Sequence, residues 1–377
     1  MRFIHTADWH LGRILEQFHL TDDQDYVLDQ LIALAKDRKI DAFLISGDVY
    51  DRGIPPPEAV ELLSKFVSRM TLDLKIPIIL IAGNHDSRER LDFGAKILER
   101  SHLHMFGAGT PIVPYVELSD AHGPVRFYAL PYAEPAEWRQ VLSNNTIRDH
   151  KAGFEHYIAG IRAEHPKGLR SVILAHCFSI GGQESDSERP LMLGGGGQIE
   201  STLFDMFDYT ALGHLHRPQQ IGKAWYSGSL LKYSKSEVNH EKSVNVVDMD
   251  KTGACVVDRI KLEPRRDLRV IDGLFENLMF GEASDDYIHV VLRDAHPILD
   301  AANRLRSRYP LLLGLSRPEI QVAGTRLEAS AMAKMSEDQL FEAFFTEMSG
   351  EKPNAELMQV FREAAGAVRS SMMENPS

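Results

Sequence analysis

The chain has 377 residues, 44 % of them hydrophobic and 25 % charged, with a formal net charge of −12. This length points to more than one folded unit, and the composition is that of an ordinary globular protein. No run approaches the ~20 apolar residues of a membrane span, and two cysteines, Cys177 and Cys255, exclude a disulfide framework and are expected to be reduced. Met1 leads directly into Arg2–Asp8 with no signal peptide, so a cytoplasmic location is expected. The acidic balance does not suggest nucleic acid, whose phosphates need local Lys and Arg. If such a partner exists, either a basic face is hidden in the average or another chain supplies the grip.

Strand-like and helix-like segments alternate up to about residue 262. Arg2–Thr6 reads as a strand. Asp22–Arg38 reads as a helix, because Val27, Leu28, Leu31, Ile32 and Ala35 recur at helical spacing. Asp41–Ser46 and Ile76–Ala82 are short buried strands, with a helix expected at Pro57–Met70, where proline is tolerated in the first turn. Val125–Leu130, Ser171–Ala175 and Tyr209–Leu212 are further strands, and Val244–Met249 with Ala254–Lys261 forms a hairpin. Gly181–Gln198, which includes the run Gly194 to Gly197, reads as a mobile loop. Basic residues and Pro264 mark a boundary, giving units of 1–263, 264–325 and 326–377. In the middle unit a helix is expected at Asp272–Phe280, a strand at Tyr287–Leu292 and a helix at Pro297–Arg308. The last unit is helical: Ser336 and Gln339 make a capping box, and apolar stripes run through Leu340, Phe341, Phe344, Phe345 and Met348, then Leu357, Phe361, Ala364, Ala365, Val368 and Met372.

Five fragments carry chemistry: Asp8-Trp9-His10, Gly47-Asp48-Val49-Tyr50-Asp51, Gly83-Asn84-His85-Asp86, Ala175-His176 and Gly213-His214-Leu215-His216. Each follows a buried strand, and in α/β sheets sites collect at the carboxyl ends of strands. Alone, any one would be ordinary, since an Asp after a strand is more often a helix cap than a ligand. Together they offer carboxylate, amide and imidazole donors, which suit Mn, Fe, Co, Ni or Zn rather than thiolate-preferring metals. Two ions roughly 3.5–4 Å apart and bridged by a carboxylate can clamp a phosphate. In an extended Asp-x-His or His-x-His, alternate side chains would point the same way. Glycines before Asp48, Asn84 and His214 would allow close backbone approach, and Asp48 is suited to bridge. The other histidines, His5 and His150 among them, read as satisfied structural or surface residues, and Cys177 as a small buried apolar residue.

In this order and spacing the fragments resemble the calcineurin-like metallophosphoesterases, over about residues 1–250. The resemblance implies a four-layer α/β sandwich, two mixed sheets flanked by helices, with a small α/β capping domain and C-terminal helices added here. It implies two divalent metal ions, most often Mn²⁺. Asp8, His10, Asp48 and His216 would hold one, and Asp48, Asn84, His176 and His214 the other. His85 would act on the scissile phosphate without binding metal, Asp86 would support that histidine or its turn, and Asp51 would brace the loop or a ligand.

His5–Gly12, Gly47–Gly53 and Ser185–Leu191 are similar to the bacterial SbcD subfamily of nucleases. That similarity implies 3′-to-5′ exonuclease action on duplex ends and endonuclease action on hairpins and single strands, in DNA repair. It also implies a coiled-coil SbcC-like ATPase docked through the C-terminal helices, and a homodimer within a heterotetramer with no membrane partner. Arg259, Lys261, Arg265, Arg266, Arg269, Arg304, Arg306 and Arg308 are candidates for DNA contacts. The competing expectation is a phosphatase or phosphodiesterase for small substrates. A scaffold with a decayed site would have lost ligands, and none of the expected types is missing.

Overall fold

Phe3 and Ile4 are neighbours on one strand, and both are fully buried, in different clusters on its two faces. A strand covered on both sides belongs in the middle of a layered stack. The protein is described by a computed structural model, which covers residues 1–189, 191, 197–318, 335–349 and 351–374. Met1–Ser316 forms one compact unit and Arg317–Ser377 a second.

In the first unit the strand order of one sheet is Cys255–Lys261, Ser243–Met249, Arg2–Thr6, Ala42–Ser46, Ile78–Ile81, Leu103–Phe106. The last four run parallel, and the hairpin adds antiparallel. The other sheet is ordered Gln219–Ile221, Ala224–Tyr226, Tyr209–Gly213, Arg170–His176, Gly123–Leu130, Tyr115–Asp120, with parallel pairing through its middle and antiparallel edges. Phe3, Leu44, Ile79 and Ile81 of the first sheet meet Phe127, Ala129, Val172, Leu174 and Ala211 of the second in one cluster. The opposite faces carry helices. Val27, Leu31, Leu62 and Phe66, from Thr21–Arg38 and Pro57–Ser68, cover Phe43 and Ile45. Trp138, Phe154 and Ile158, from Pro135–Leu142 and His150–Glu164, cover Ile173 and Ala175. The result is the expected four-layer sandwich.

Polar links between the sheets set their relative height. His5 faces Tyr209 Oη at 3.0 Å and Leu212 O at 3.1 Å, and Ser46 Oγ donates to Ala211 O at 3.0 Å. His5 is thus a satisfied core histidine, and burial lowers its pKa to about 3.

A third sheet, Leu268–Gly273, Tyr287–Leu292 and Leu312–Ser316, is all parallel. Here the structure corrects the sequence reading. The expected helix at Asp272–Phe280 is the end of a strand followed by a short helix, Phe275–Phe280. The expected helix at Pro297–Arg308 narrows to Ala301–Leu305. Asp294 accepts a hydrogen bond from Phe275 N at 2.8 Å, so the first of these helices starts where a residue 19 positions away caps it.

In the second unit, helices Glu337–Ser349 and Ala355–Glu374 follow the expected pattern. Ser336 N donates to Gln339 Oε1 at 2.9 Å and Gln339 N to Ser336 Oγ at 3.3 Å, the reciprocal capping box. Phe341 and Phe361 stack with centroids 4.1 Å apart. The side chains of Met348, Val368 and Met372, and the glycines 194–196, lie outside the described residues. No described helix is long and apolar enough to cross a membrane.

Candidate metal centre

The five fragments meet at the strand ends, and the way they are held departs from the extended geometry the spacing suggests. Arg2–Thr6 ends before Asp8, and Tyr209–Gly213 ends before His214. Asp8, His10, Asp48 and His214 all have positive φ, at 54°, 47°, 49° and 104°. Non-glycine residues adopt this left-handed region at a penalty of about 1–2 kcal/mol each. Asp8 and His10 share a side because Trp9 is driven the other way. Its ring is fully buried against Phe66, at a centroid distance of 4.9 Å, and its indole N–H donates to Thr6 Oγ1 at 3.0 Å.

Backbone hydrogen bonds stitch the first two fragments together: Asp8 N to Gly47 O at 3.0 Å, His10 N to Asp48 O at 2.9 Å, Leu11 N to Val49 O at 2.9 Å. Gln24 donates to His10 O at 2.8 Å and accepts from Gly12 N at 3.1 Å, and Tyr233 Oη donates to Trp9 O at 2.5 Å. At Gly83 the close approach expected from sequence is visible, because a β-carbon there would collide with the Asp48 carboxylate.

Asp48 lies at the middle. Its Oδ1 accepts from His85 N at 2.9 Å, while Oδ2 is 3.6 Å from His10 Nε2 and 3.5 Å from His176 Nε2. His10 Nε2 is 3.1 Å from His216 Nε2, and Asn84 Oδ1 is 2.9 Å from His176 Nε2 and 3.2 Å from His214 Nδ1. Asp8 Oδ1 accepts from His214 N at 2.8 Å, and its Oδ2 is buried with no hydrogen-bond partner. All seven of the residues predicted as ligands are therefore brought into one cluster, six of them buried and Asn84 partly so.

Hydrogen-bond directions test whether the cluster suits cations. His176 Nδ1 is 2.9 Å from Ser46 O. A carbonyl only accepts, so Nδ1 carries the hydrogen, and in the neutral ring Nε2 presents a bare lone pair to Asn84 Oδ1 and Asp48 Oδ2. Electron-rich atoms thus face one another with no hydrogen to share. Positive charge resolves this, and a proton on His176 is one source: burial opposes charging the ring, but Asp48 overrides it and lifts the ring to about 9. Burial likewise opposes ionising Asp48, yet His176 holds its carboxyl well below the usual range, while burial pushes Asp8 well above it. The donor set and this frustrated geometry fit divalent ions.

The supporting residues divide. His85 is 6 % exposed, and its Nδ1 donates to Asp51 O at 2.8 Å, with the ring edge-on to His10 at 4.6 Å. Asp86 makes its hydrogen bonds to the backbone rather than to that ring. Its carboxylate accepts from Val49 N, Tyr50 N and Gly83 N at 2.9–3.1 Å, bracing the turn, and burial lifts it to about 7. Asp51 faces His10 Nδ1 at 3.5 Å and accepts from Arg13 at 2.8 Å, so it backs a candidate ligand. Sequence reasoning assigned no part to Ser187, Glu188, Glu237 or Lys242, yet all four contact His216. Nothing in their spacing signals this; only the subfamily-like run Ser185–Leu191 pointed to the loop that holds two of them.

The basic candidates are largely engaged. Arg266 pairs with Asp23 at 3.0 Å, Arg269 with Asp286 at 3.1 Å and Lys261 with Glu263 at 3.0 Å, and Arg304 lies over the Phe275 ring.

Known proteins share parts of this chain. Residues 264–349 match the family described as type 5 capsule protein repressor C-terminal domain. Among solved structures, a dimetal phosphatase from Danio rerio is 12 % identical, covering 70 % of this chain and 99 % of its own, with a TM-score of 0.39. A Thermus thermophilus protein is 12 % identical, covering 68 % of this chain and 98 % of its own, also at 0.39. Residues 1–218 match the calcineurin-like phosphoesterases, and with the four-layer sandwich and its strand-end cluster of Asp, Asn and His, the chain belongs to that family.

Proposed function

We propose that this phosphoesterase is a DNA nuclease that hydrolyses phosphodiester bonds at duplex ends, hairpins and single strands, with two divalent ions, Mn²⁺ by preference. Asp8, His10, Asp48 and His216 would hold one ion and Asp48, Asn84, His176 and His214 the other. When bound, the ions supply neutralisation of phosphate charge and activation of the attacking water. The observation that carries the two-site reading is Asp48 Oδ2, nearly equidistant from His10 and His176.

The chain's own residues supply the rest. Asp51 O fixes the His85 ring through Nδ1–H, so Nε2, once it has taken up a proton from water, would pass that proton to the leaving oxygen. Asp86 holds the turn that carries His85, and Trp9, Gln24 and Tyr233 hold the loop that carries Asp8 and His10. The DNA reading draws support from the subfamily-like motifs at His5–Gly12, Gly47–Gly53 and Ser185–Leu191. Because four of the eight candidate basic residues pair with acids and the other four engage a ring, an amide or a carbonyl, much of the DNA grip would come from an SbcC-like ATPase on the C-terminal helices, in an assembly of two copies of each chain.

The test is cleavage by the purified chain with Mn²⁺, comparing a hairpin-ended duplex with bis-p-nitrophenyl phosphate. Cleavage of both is expected, with His85→Ala losing about 10²–10⁴-fold while still binding metal. Loss of metal in that variant would reassign His85 as a ligand. Turnover of the small ester alone, with the ATPase partner present, would overturn the DNA reading in favour of a small-substrate phosphodiesterase.

A further inference from the structure

His216 is gripped at every polar atom but one. Its backbone N donates to Glu188 Oε1 at 2.6 Å, and its carbonyl accepts from Lys242 Nζ at 2.8 Å. Its Nδ1 is 2.7 Å from Ser187 Oγ, and Ser187 Oγ is 2.5 Å from Glu237 Oε1. Glu237 is fully buried, and its second oxygen accepts from Lys242 Nζ at 2.5 Å. Lys242, 5 % exposed, also donates to Ser229 Oγ at 2.7 Å.

A serine hydroxyl has one hydrogen. Glu237, paired with buried Lys242, is a carboxylate and can only accept, so the Ser187 hydrogen goes to Glu237. The Ser187 lone pair must then accept from His216, which places the imidazole hydrogen on Nδ1. The remaining nitrogen, Nε2, is left bare and aimed at His10 Nε2, 3.1 Å away. The Ser46 carbonyl likewise keeps a hydrogen on His176 Nδ1, whereas His216 uses a serine and a glutamate instead.

We propose that Ser187 and Glu237 are positioning residues that lock His216 in its Nδ1–H tautomer, so that Nε2 is permanently presented to a divalent ion. The proposal rests on the two-metal reading. It also ties the Ser185–Arg189 loop to the centre: Asp186 N donates to Ser236 Oγ at 2.9 Å, so the loop and the segment bearing Glu237 are latched at two points, with His216 between them.

The experiment uses the full chain. ¹⁵N-histidine NMR of the metal-free protein should give His216 a protonated Nδ1 and a bare Nε2; the opposite tautomer would overturn the latch without any variant. Calorimetric titration with Mn²⁺ alone should then resolve two sites in the wild type. Ser187→Ala should weaken one of them about 10–100-fold and abolish the tautomer preference, and Ser187→Thr should restore both. Two unchanged sites in Ser187→Ala would remove the latch and leave the two-metal reading standing. A wild type that binds no Mn²⁺ would remove both.

Discussion

The strand-end cluster of the first unit and the helix pair of the second are stabilised on opposite principles. In the cluster, candidate ligands are held from behind by dedicated partners: Ser46 for His176, Asp51 for His10, Ser187 with Glu237 for His216. Among the described residues of the helix pair, Phe341 stacks on Phe361 and Arg362 forms an exposed ion pair with Asp338 at 2.9 Å. Phe344 is 61 % and Val360 58 % exposed. A site that must present lone pairs at fixed positions requires a rigid, over-determined frame. A helix pair with Phe344 and Val360 exposed carries no such requirement.

The contrast predicts a graded series. Asp48→Asn should have the largest effect. It alters the carboxylate whose Oδ2 lies between His10 and His176, so Mn²⁺ stoichiometry should fall below two and ester turnover should drop further than in His85→Ala. Two full-affinity ions in Asp48→Asn would disprove the bridging assignment.

Asp120→Asn should separate support from chemistry. Asp120 pairs with Arg170 at 2.6 Å, at the opposite end of the strand that carries His176, and the pair is largely buried. Removing the charge that Arg170 and the Met1 ammonium both pair with should cost on the order of 3 kcal/mol in a urea titration at neutral pH, with Mn²⁺ affinity unchanged. Arg170 holds the Asp120 carboxyl well below its ordinary range. A depressed folded pKa contributes stability in full above the unfolded value, about 4, and that contribution fades as pH falls toward the folded value. The gap between wild type and Asp120→Asn should therefore be constant near neutrality and close only in acid; a gap that widened on acidification would show the sign to be wrong.

The smallest effect should come from Phe361→Ala. It should destabilise the helix pair by about 1 kcal/mol, read as earlier loss of helical circular dichroism, and leave turnover of the small ester unchanged. A fall in turnover would mean the second unit supports the site directly.

The same contrast explains what could be read from the sequence. Buried strands of the sandwich announce themselves as apolar runs ending in Asp-x-His, Gly-Asp, Gly-Asn-His, Ala-His or Gly-His, so the fragments that hold the seven candidate ligands were legible, while the layers and the ligand roles came only through the family resemblance. The devices behind the ligands were not. Glu237 and Lys242 look like any charged residues in a loop, and only the fold carries them 21 and 26 positions back to His216. The Phe275 helix was misplaced for a related reason: Leu274, Phe275, Leu278 and Met279 have helical spacing, but Asp294, distant in sequence, decides where the helix begins. Leu268–Gly273 is a strand because Tyr287–Leu292 lies beside it, a pairing that local pattern does not encode. The Asp-x-His spacing gave the right neighbours for the wrong reason, since Trp9 burial and left-handed turns, rather than an extended strand, align the pair.

Those left-handed turns have an evolutionary implication. Asp8, His10, Asp48 and His214 occupy backbone geometry that glycine would adopt without penalty. A lineage selected for stability alone would drift toward glycine at these four positions and shed the strain. The chain carries Asp and His there all the same, and because these are its candidate ligands, they are positions where thermostabilising substitutions should be sought last.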